Sequence, residues 1–117
     1  MPTTTSFSFG YVLLVPFPFT DLTTSKRRPA VVISSAQYNE RRLDVIVMAV
    51  TSQQGPARAR ARGHWLRDWK AAGLLKPSIL KPIVTTLDKS VVIRRLGSLT
   101  EHDRSVLHRV LTETLGT

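Results

Sequence analysis

Leu43-Asp-Val-Ile-Val-Met-Ala-Val50 is apolar at every position except Asp44, and half of its residues are β-branched. Eight residues is the length of a strand rather than a helix, and the absence of polar alternation places such a strand centrally in a sheet. A chain built around this segment must supply neighbours on both of its edges. Two further runs qualify. Tyr11-Val-Leu-Leu-Val15 follows Gly10 and meets Pro16 and Pro18, which are expected to end the strand or confine it to an edge. Pro29-Ala-Val-Val-Ile-Ser34 carries its proline at the first position, where a strand tolerates it.

Between these runs, Asp21 to Arg28 is polar and is expected to be a loop, and Gln37 to Arg42 a turn. Ala57-Arg-Ala-Arg-Ala-Arg62 alternates strictly, so as a strand it puts Arg58, Arg60 and Arg62 on one face, about 6–7 Å apart. Asp68 to Gly73 reads as a short helix opened by Asp and closed by Gly. Leu75 to Thr85 reads as extended, and Ser90 to Gly97 as another strand. Thr100 opens the one strong helix. Glu101 and Asp103 suit its positive end, Val106, Leu107, Val110, Leu111 and Leu115 form an apolar stripe, and Gly116 stops it. Several short strands and one terminal helix predict a mainly β fold, a small twisted barrel or half-open sheet with the helix packed on it. At 117 residues, one domain spanning 1–117 is expected.

Composition narrows the chemistry. The chain has 17 Lys and Arg against 8 Asp and Glu, a formal charge of +9, and 42% hydrophobic residues. That is too apolar for a disordered polycation, and the charge points to polyanionic partners. Without cysteine there are no disulfides, thiolate metal sites or cysteine nucleophiles. No apolar run approaches the roughly 20 residues of a membrane span. Phe7 to Phe19 lacks a basic segment before it and a small-residue cleavage site, so it is assigned to the fold rather than to a signal peptide. A cytoplasmic protein that does not bind membranes is expected.

No glycine-rich phosphate loop follows a strand, no carboxylate pair flanks a predicted cleft, and His102 and His108 fall on nearly opposite faces of the helix. Neither a metal nor another cofactor is expected. Two strand boundaries carry more information. Lys26-Arg27-Arg28 precedes the second strand and Thr51-Ser52 follows the third. If the two strands form an antiparallel hairpin, a guanidinium and a hydroxyl converge at one end of the sheet. Otherwise Arg28 is a surface cation before a proline and Thr51 an ordinary strand residue.

The segments Gly10-Tyr-Val-Leu-Leu-Val-Pro-Phe-Pro-Phe-Thr-Asp-Leu22, Ser25-Lys-Arg-Arg-Pro-Ala-Val-Val-Ile-Ser34 and Val45-Ile-Val-Met-Ala-Val-Thr-Ser52 together resemble the MazF/PemK toxins of type II toxin–antitoxin systems. The resemblance continues through Asp68-Trp69, Ala72-Gly-Leu-Leu-Lys-Pro-Ser78, Leu87-Asp-Lys-Ser90 and Arg95-Leu-Gly97 to the closing helix. It implies an SH3-like barrel of the MazF/PemK/CcdB type and a homodimer. It also implies a metal-independent endoribonuclease that cuts single-stranded RNA, leaves 2′,3′-cyclic phosphate ends, and is held in check by a cognate antitoxin protein. The family's functional Arg, before Pro, falls on Arg28, and its functional Thr, ending the third strand, on Thr51. The chain departs from the family pattern at Tyr11, where Gly-Asp is usual, and has no acidic residue from Thr23 to Arg28, so no loop carboxylate is carried over.

RNA contacts are expected from Lys26, Arg27, Ser52 and Gln53 beside that pair. The Arg58/Arg60/Arg62 row either tracks phosphates or is a solvated edge-strand face that discourages aggregation. His64 is either a proton carrier or, as favoured, a loop histidine. Trp65 and Trp69 either stack on bases or, as favoured, serve the core or a dimer contact. The alternative function is a non-catalytic toxin or RNA binder on the same fold. CcdB-like gyrase poisons use a Trp near the extreme C-terminus, whereas this chain ends Thr114-Leu-Gly-Thr117.

Overall fold

A computed structural model describes residues 6–17, 26–52 and 64–116. Its strands are β1 (Tyr11–Phe17), β2 (Lys26–Val32), β3 (Asp44–Thr51), β4 (His64–Trp65), β5 (Ile79–Asp88) and β6 (Arg94–Ser98). They form one sheet in the order β4-β5-β3-β2-β1-β6, every neighbour antiparallel. A short helix α1 (Ala36–Arg41) joins β2 to β3, a 3-10 turn (Lys89–Val91) joins β5 to β6, and α2 (Glu101–Leu115) ends the chain's described part. The mainly β architecture with one C-terminal helix is the one expected, and the sheet curls into a half-barrel.

β3 lies inside the sheet between β5 and β2, as its apolar run requires. Its alternate residues serve two cores. Met48 and Val50 join Val12, Val31, Leu80 and Leu99 beneath Leu107 and Val110 of α2. Val45, Val47 and Ala49 join Leu13, Val15, Ala30, Val32 and Phe7 on the other face. Each buried Val or Leu contributes roughly 1.5–3 kcal/mol, so a strand used on both faces anchors the fold.

Prolines act differently from expectation. β1 continues through Pro16, which pairs opposite Arg27, to Phe17. The Leu14 carbonyl accepts from the Ile93 N–H, so alternation turns the Pro16 nitrogen to the same side, past the end of the β1–β6 ladder. No ladder donor is lost there. β5 similarly passes through Pro82, and its register with β3 shifts between Met48 and Val50.

Four further local expectations are corrected. Lys26, Arg27 and Arg28 belong to β2 rather than a loop, because β1 supplies them with a pairing partner. Residues 36–41 are helical, capped by Ser35, whose hydroxyl accepts from the Tyr38 N–H at 3.1 Å. Asp68 to Gly73 is a succession of turns, not a helix. Ser90 to Gly97 divides into the 3-10 turn and β6. The Ala57–Arg62 strand lies outside the described residues.

α2 matches its sequence signals. Thr100 caps it, Glu101 and Asp103 occupy the first turn, and Gly116 closes it at φ 69° with its N–H on the Thr112 carbonyl. Of its stripe, Leu107 and Val110 are buried, Val106 and Leu111 half-buried, but Leu115 is exposed in the last turn. The buried Asp103 carboxylate reaches back to accept the N–H groups of Arg67 (3.0 Å) and Asp68 (2.8 Å). The Thr100 hydroxyl donates to Asp68 at 2.7 Å. These bonds staple the 67–74 turns to the start of α2.

The turns in turn abut β6. Gly73 has φ 88°, and a Cβ there would lie 2.1 Å from the Leu96 carbonyl oxygen. A Cβ on Gly97 would lie 2.3 Å from the Ala72 oxygen. Only two glycines allow these backbones to meet. Their contact draws the curled sheet together and sets one wall of the cavity described next.

Candidate functional site

β2 and β3 pair through Ala30↔Ala49, Val31↔Met48 and Val32↔Val47. The ladder stops at Ala30 because Pro29 has no N–H to continue it. Arg28 and Thr51 each lie two residues past the last rung, on the two strands that part there. The antiparallel hairpin supposed from the sequence is therefore present.

Beyond the last rung lies a cavity of about 850 Å³. Lys26, Arg27, Arg28, Thr51 and Ser52 all contribute to its wall. Thr51 is buried and Arg28 half-buried, while Lys26, Arg27 and Ser52 are exposed. The opposite wall comes from residues that a linear reading does not connect to Arg28: Leu74 and Lys76 after the stapled turns, and Arg94 and Leu96 on β6. Gln53, Arg58, Arg60 and Arg62 lie outside the described residues.

The cavity's electrostatics are one-sided. Among the described residues that line it, five are Lys or Arg and none is Asp or Glu. Three aspartates elsewhere are held by local partners. The Arg42 guanidinium, bonded to Asp44 at 3.0 and 3.2 Å, holds that carboxyl below the usual range. The Arg67 guanidinium and the Thr100 hydroxyl do the same for Asp68, and the Ser90 N–H does so for Asp88. Such pairing leaves the positive field of the cavity uncompensated from within its wall, which suits a polyanion.

No histidine lines it. His64 sits in β4, with Nε2 3.5 Å from Glu113 of α2. The His108 ring stacks on Phe9 with centroids 4.5 Å apart. His102 is exposed on the first turn of α2. Trp69 packs against the core, and Trp65 pairs opposite Ile79 in β4. Among the described residues no group of three His, Asp or Glu side chains could hold a metal ion, and no helix is long and apolar enough to cross a membrane.

Arg28 and Thr51, the two residues singled out by the motif resemblance, line this one basic cavity. A family model for the PemK-like, MazF-like toxins of type II toxin–antitoxin systems covers residues 8–115. The chain belongs to this family. It is a toxin of a type II toxin–antitoxin system.

Solved structures of similar fold agree with that membership. A MazF from Deinococcus radiodurans superposes with a TM-score of 0.69 at 22% identity, over 95% of this chain and 96% of that one. An endoribonuclease from a mycobacterial species gives 0.70 at 18% identity, over 98% and 96%. A mycobacterial endoribonuclease bound to its cognate antitoxin gives 0.66 at 19% identity, over 97% and 96%. At such identities the likeness speaks for the fold. No curated protein matches the sequence.

Proposed function

We propose that this MazF/PemK-family toxin is a metal-independent, sequence-selective endoribonuclease that cleaves single-stranded RNA, with Arg28 and Thr51 as its catalytic residues. The observation that carries the reading is that Arg28 and Thr51, from the parted ends of β2 and β3, line one cavity whose charged residues among those described are all cations. Membership of the toxin family and the fold shared with proteins described as endoribonucleases support it.

The reaction follows from the groups present. The ribose 2′-oxygen attacks the adjacent phosphorus, the bond to the 5′-oxygen breaks, and a 2′,3′-cyclic phosphate and a 5′-hydroxyl result. The 2′-hydroxyl gives up a proton and the departing 5′-oxygen gains one. Negative charge grows on the non-bridging oxygens of the pentacoordinate state. Arg28 presents a planar pair of donors that stays charged at any working pH. Its work is electrostatic, and one such preorganised donor is worth about 10²–10³ in rate. Thr51 directs its hydroxyl to the phosphate or to the attacking 2′-OH. Lys26, Arg27, Ser52, Gln53 and the Arg58/Arg60/Arg62 row hold the RNA on either side.

The toxin acts in the cytoplasm as a homodimer and is neutralised by a cognate antitoxin, as the solved toxin–antitoxin complex of similar fold suggests. Incubation of the purified protein with mixed RNA in EDTA, followed by mass-spectrometric mapping of the new ends, tests the reading. Cyclic phosphate ends at a recurring sequence are expected. Intact RNA at every protein concentration would favour the non-catalytic alternative.

A further inference from the structure

We propose that a second, smaller cavity behind the β1–β6 ribbon is a nucleotide subsite that holds a base flanking the scissile linkage. The inference rests on the endoribonuclease reading and extends it to a site outside the Arg28/Thr51 cavity.

This cavity has a volume of about 400 Å³, within the range of small-ligand sites. Phe7, Tyr11, Lys89, Arg94 and Arg95 contribute to its wall, and no described Asp or Glu does. The Arg95 guanidinium carbon lies 3.7 Å from the centroid of the Tyr11 ring, at stacking distance. Its Nε–H donates to the Gly97 carbonyl at 3.3 Å, which fixes the head group over the ring. Unpaired RNA bases stack on aromatic rings and on guanidinium planes. Here both are assembled in advance beside further cations. Lys89 is likewise fixed, donating to the Asn39 carbonyl with its ammonium 5.7 Å from the Phe7 ring centroid.

Among the described residues, the two cavities share Arg94. In the β1–β6 ladder Leu14 pairs with Arg94 and Leu13 with Arg95. Leu14 lines the large cavity and Leu13 the small one, so the pleat sends successive residues to the two sites. β6 is the edge of the sheet. A strand of RNA whose scissile linkage lies at Arg28 reaches the small cavity by passing round that edge at Arg94. β2 and β6 are separated only by β1, about 10 Å at the usual inter-strand spacing. Arg94 forms no ion pair with a described residue, which leaves its guanidinium for a bridging phosphate.

The test is a binding walk on the intact protein. Fluorescent 2′-O-methyl RNA octamers cover the cleavage sequence found by end mapping, with a single abasic site moved along them. A uridine octamer serves as a general probe should no cleavage sequence emerge. Arg95→Ala should bind about tenfold to a hundredfold more weakly than wild type, the range typical of one lost base stack. One abasic position near the scissile linkage should weaken wild type by a similar factor and leave Arg95→Ala unchanged. Arg94→Ala should lower the slope of log K against log salt by about 0.7. Arg95 is exposed, so its variants should keep the wild-type thermal midpoint.

Affinity and abasic profile unchanged in Arg95→Ala, in a protein that cleaves RNA, would reject the subsite and keep the endoribonuclease. Coupled losses in a protein that cleaves nothing would keep the subsite and reject the enzyme. A protein that binds no octamer rejects both. Loss of antitoxin binding in Arg95→Ala with RNA affinity intact would make the surface a protein contact and overturn the subsite.

Discussion

Arg28 and Thr51 line one cavity where β2 and β3 part, each two residues past the Ala30↔Ala49 rung. Pro29 causes the parting, because a residue without an N–H cannot continue the ladder. The motif Arg-Pro therefore has a mechanical sense. The proline opens the sheet and the arginine before it borders the opening. Substituting Pro29 by Ala should let the ladder lengthen and narrow the cavity. RNA binding should weaken several-fold while thermal stability holds or rises. Unchanged affinity would separate the proline from the site.

The wall opposite Arg28 depends on two glycines. Gly73→Ala would place a Cβ 2.1 Å from the Leu96 oxygen at a positive φ, and Gly97→Ala would place one 2.3 Å from the Ala72 oxygen. Backbone must move in either case. A loss of about 3 kcal/mol or more is expected from urea unfolding of Gly73→Ala, combining overpacking with left-handed strain. A loss below 1 kcal/mol would show that the turns do not close the sheet.

Asp103 holds those turns from the other side. Asp103→Ala removes the acceptor of two N–H groups, and a loss of about 2–4 kcal/mol is expected in urea. Its neighbour Asp68 adds a pH dependence. Hydrogen bonds from Arg67 and Thr100 depress the Asp68 carboxyl, so its folded pKa lies below its unfolded one. The stabilisation is complete above the unfolded value of about 3.9 and is lost as pH falls through the folded value. Thermal midpoints should stay level from pH 7 to about 4.5 and then fall, less steeply in Asp68→Asn. A decline beginning near pH 6 would show that the Asp68 carboxyl does not set it.

The described residues that line the cavity include no His, Asp or Glu. The cleavage rate should climb between pH 5 and 8, as the 2′-hydroxyl becomes easier to deprotonate, without a falling limb. A bell-shaped profile would place a titrating acid–base pair of the protein in the reaction.

Much of this was legible in the sequence where a single segment carries its own signal. β3 declares itself by an unbroken apolar run, and α2 by Thr100 at one end and Gly116 at the other. Segments decided by distant partners were not legible. Lys26 to Arg28 look like a loop because three cations in a row show no alternation, yet β1 recruits them into the sheet. Asp68 to Gly73 has a helix's end residues, but the N–H groups of Arg67 and Asp68 go to Asp103. Lys76 and Arg94 reach the cavity only through the stapled turns and the curl of β6, and no local pattern marks them.

The central claim is that a guanidinium and a hydroxyl act on one phosphate. RNA cleavage in EDTA by wild type, Arg28→Ala and Thr51→Val tests it most directly, with circular dichroism to confirm folding. Valine keeps the buried volume of Thr51 and removes only the hydroxyl. Each variant should fold and lose about 10²–10³ in kcat/KM, and the double variant should lose far less than the product of the two. Wild-type rates in either folded variant would contradict the account.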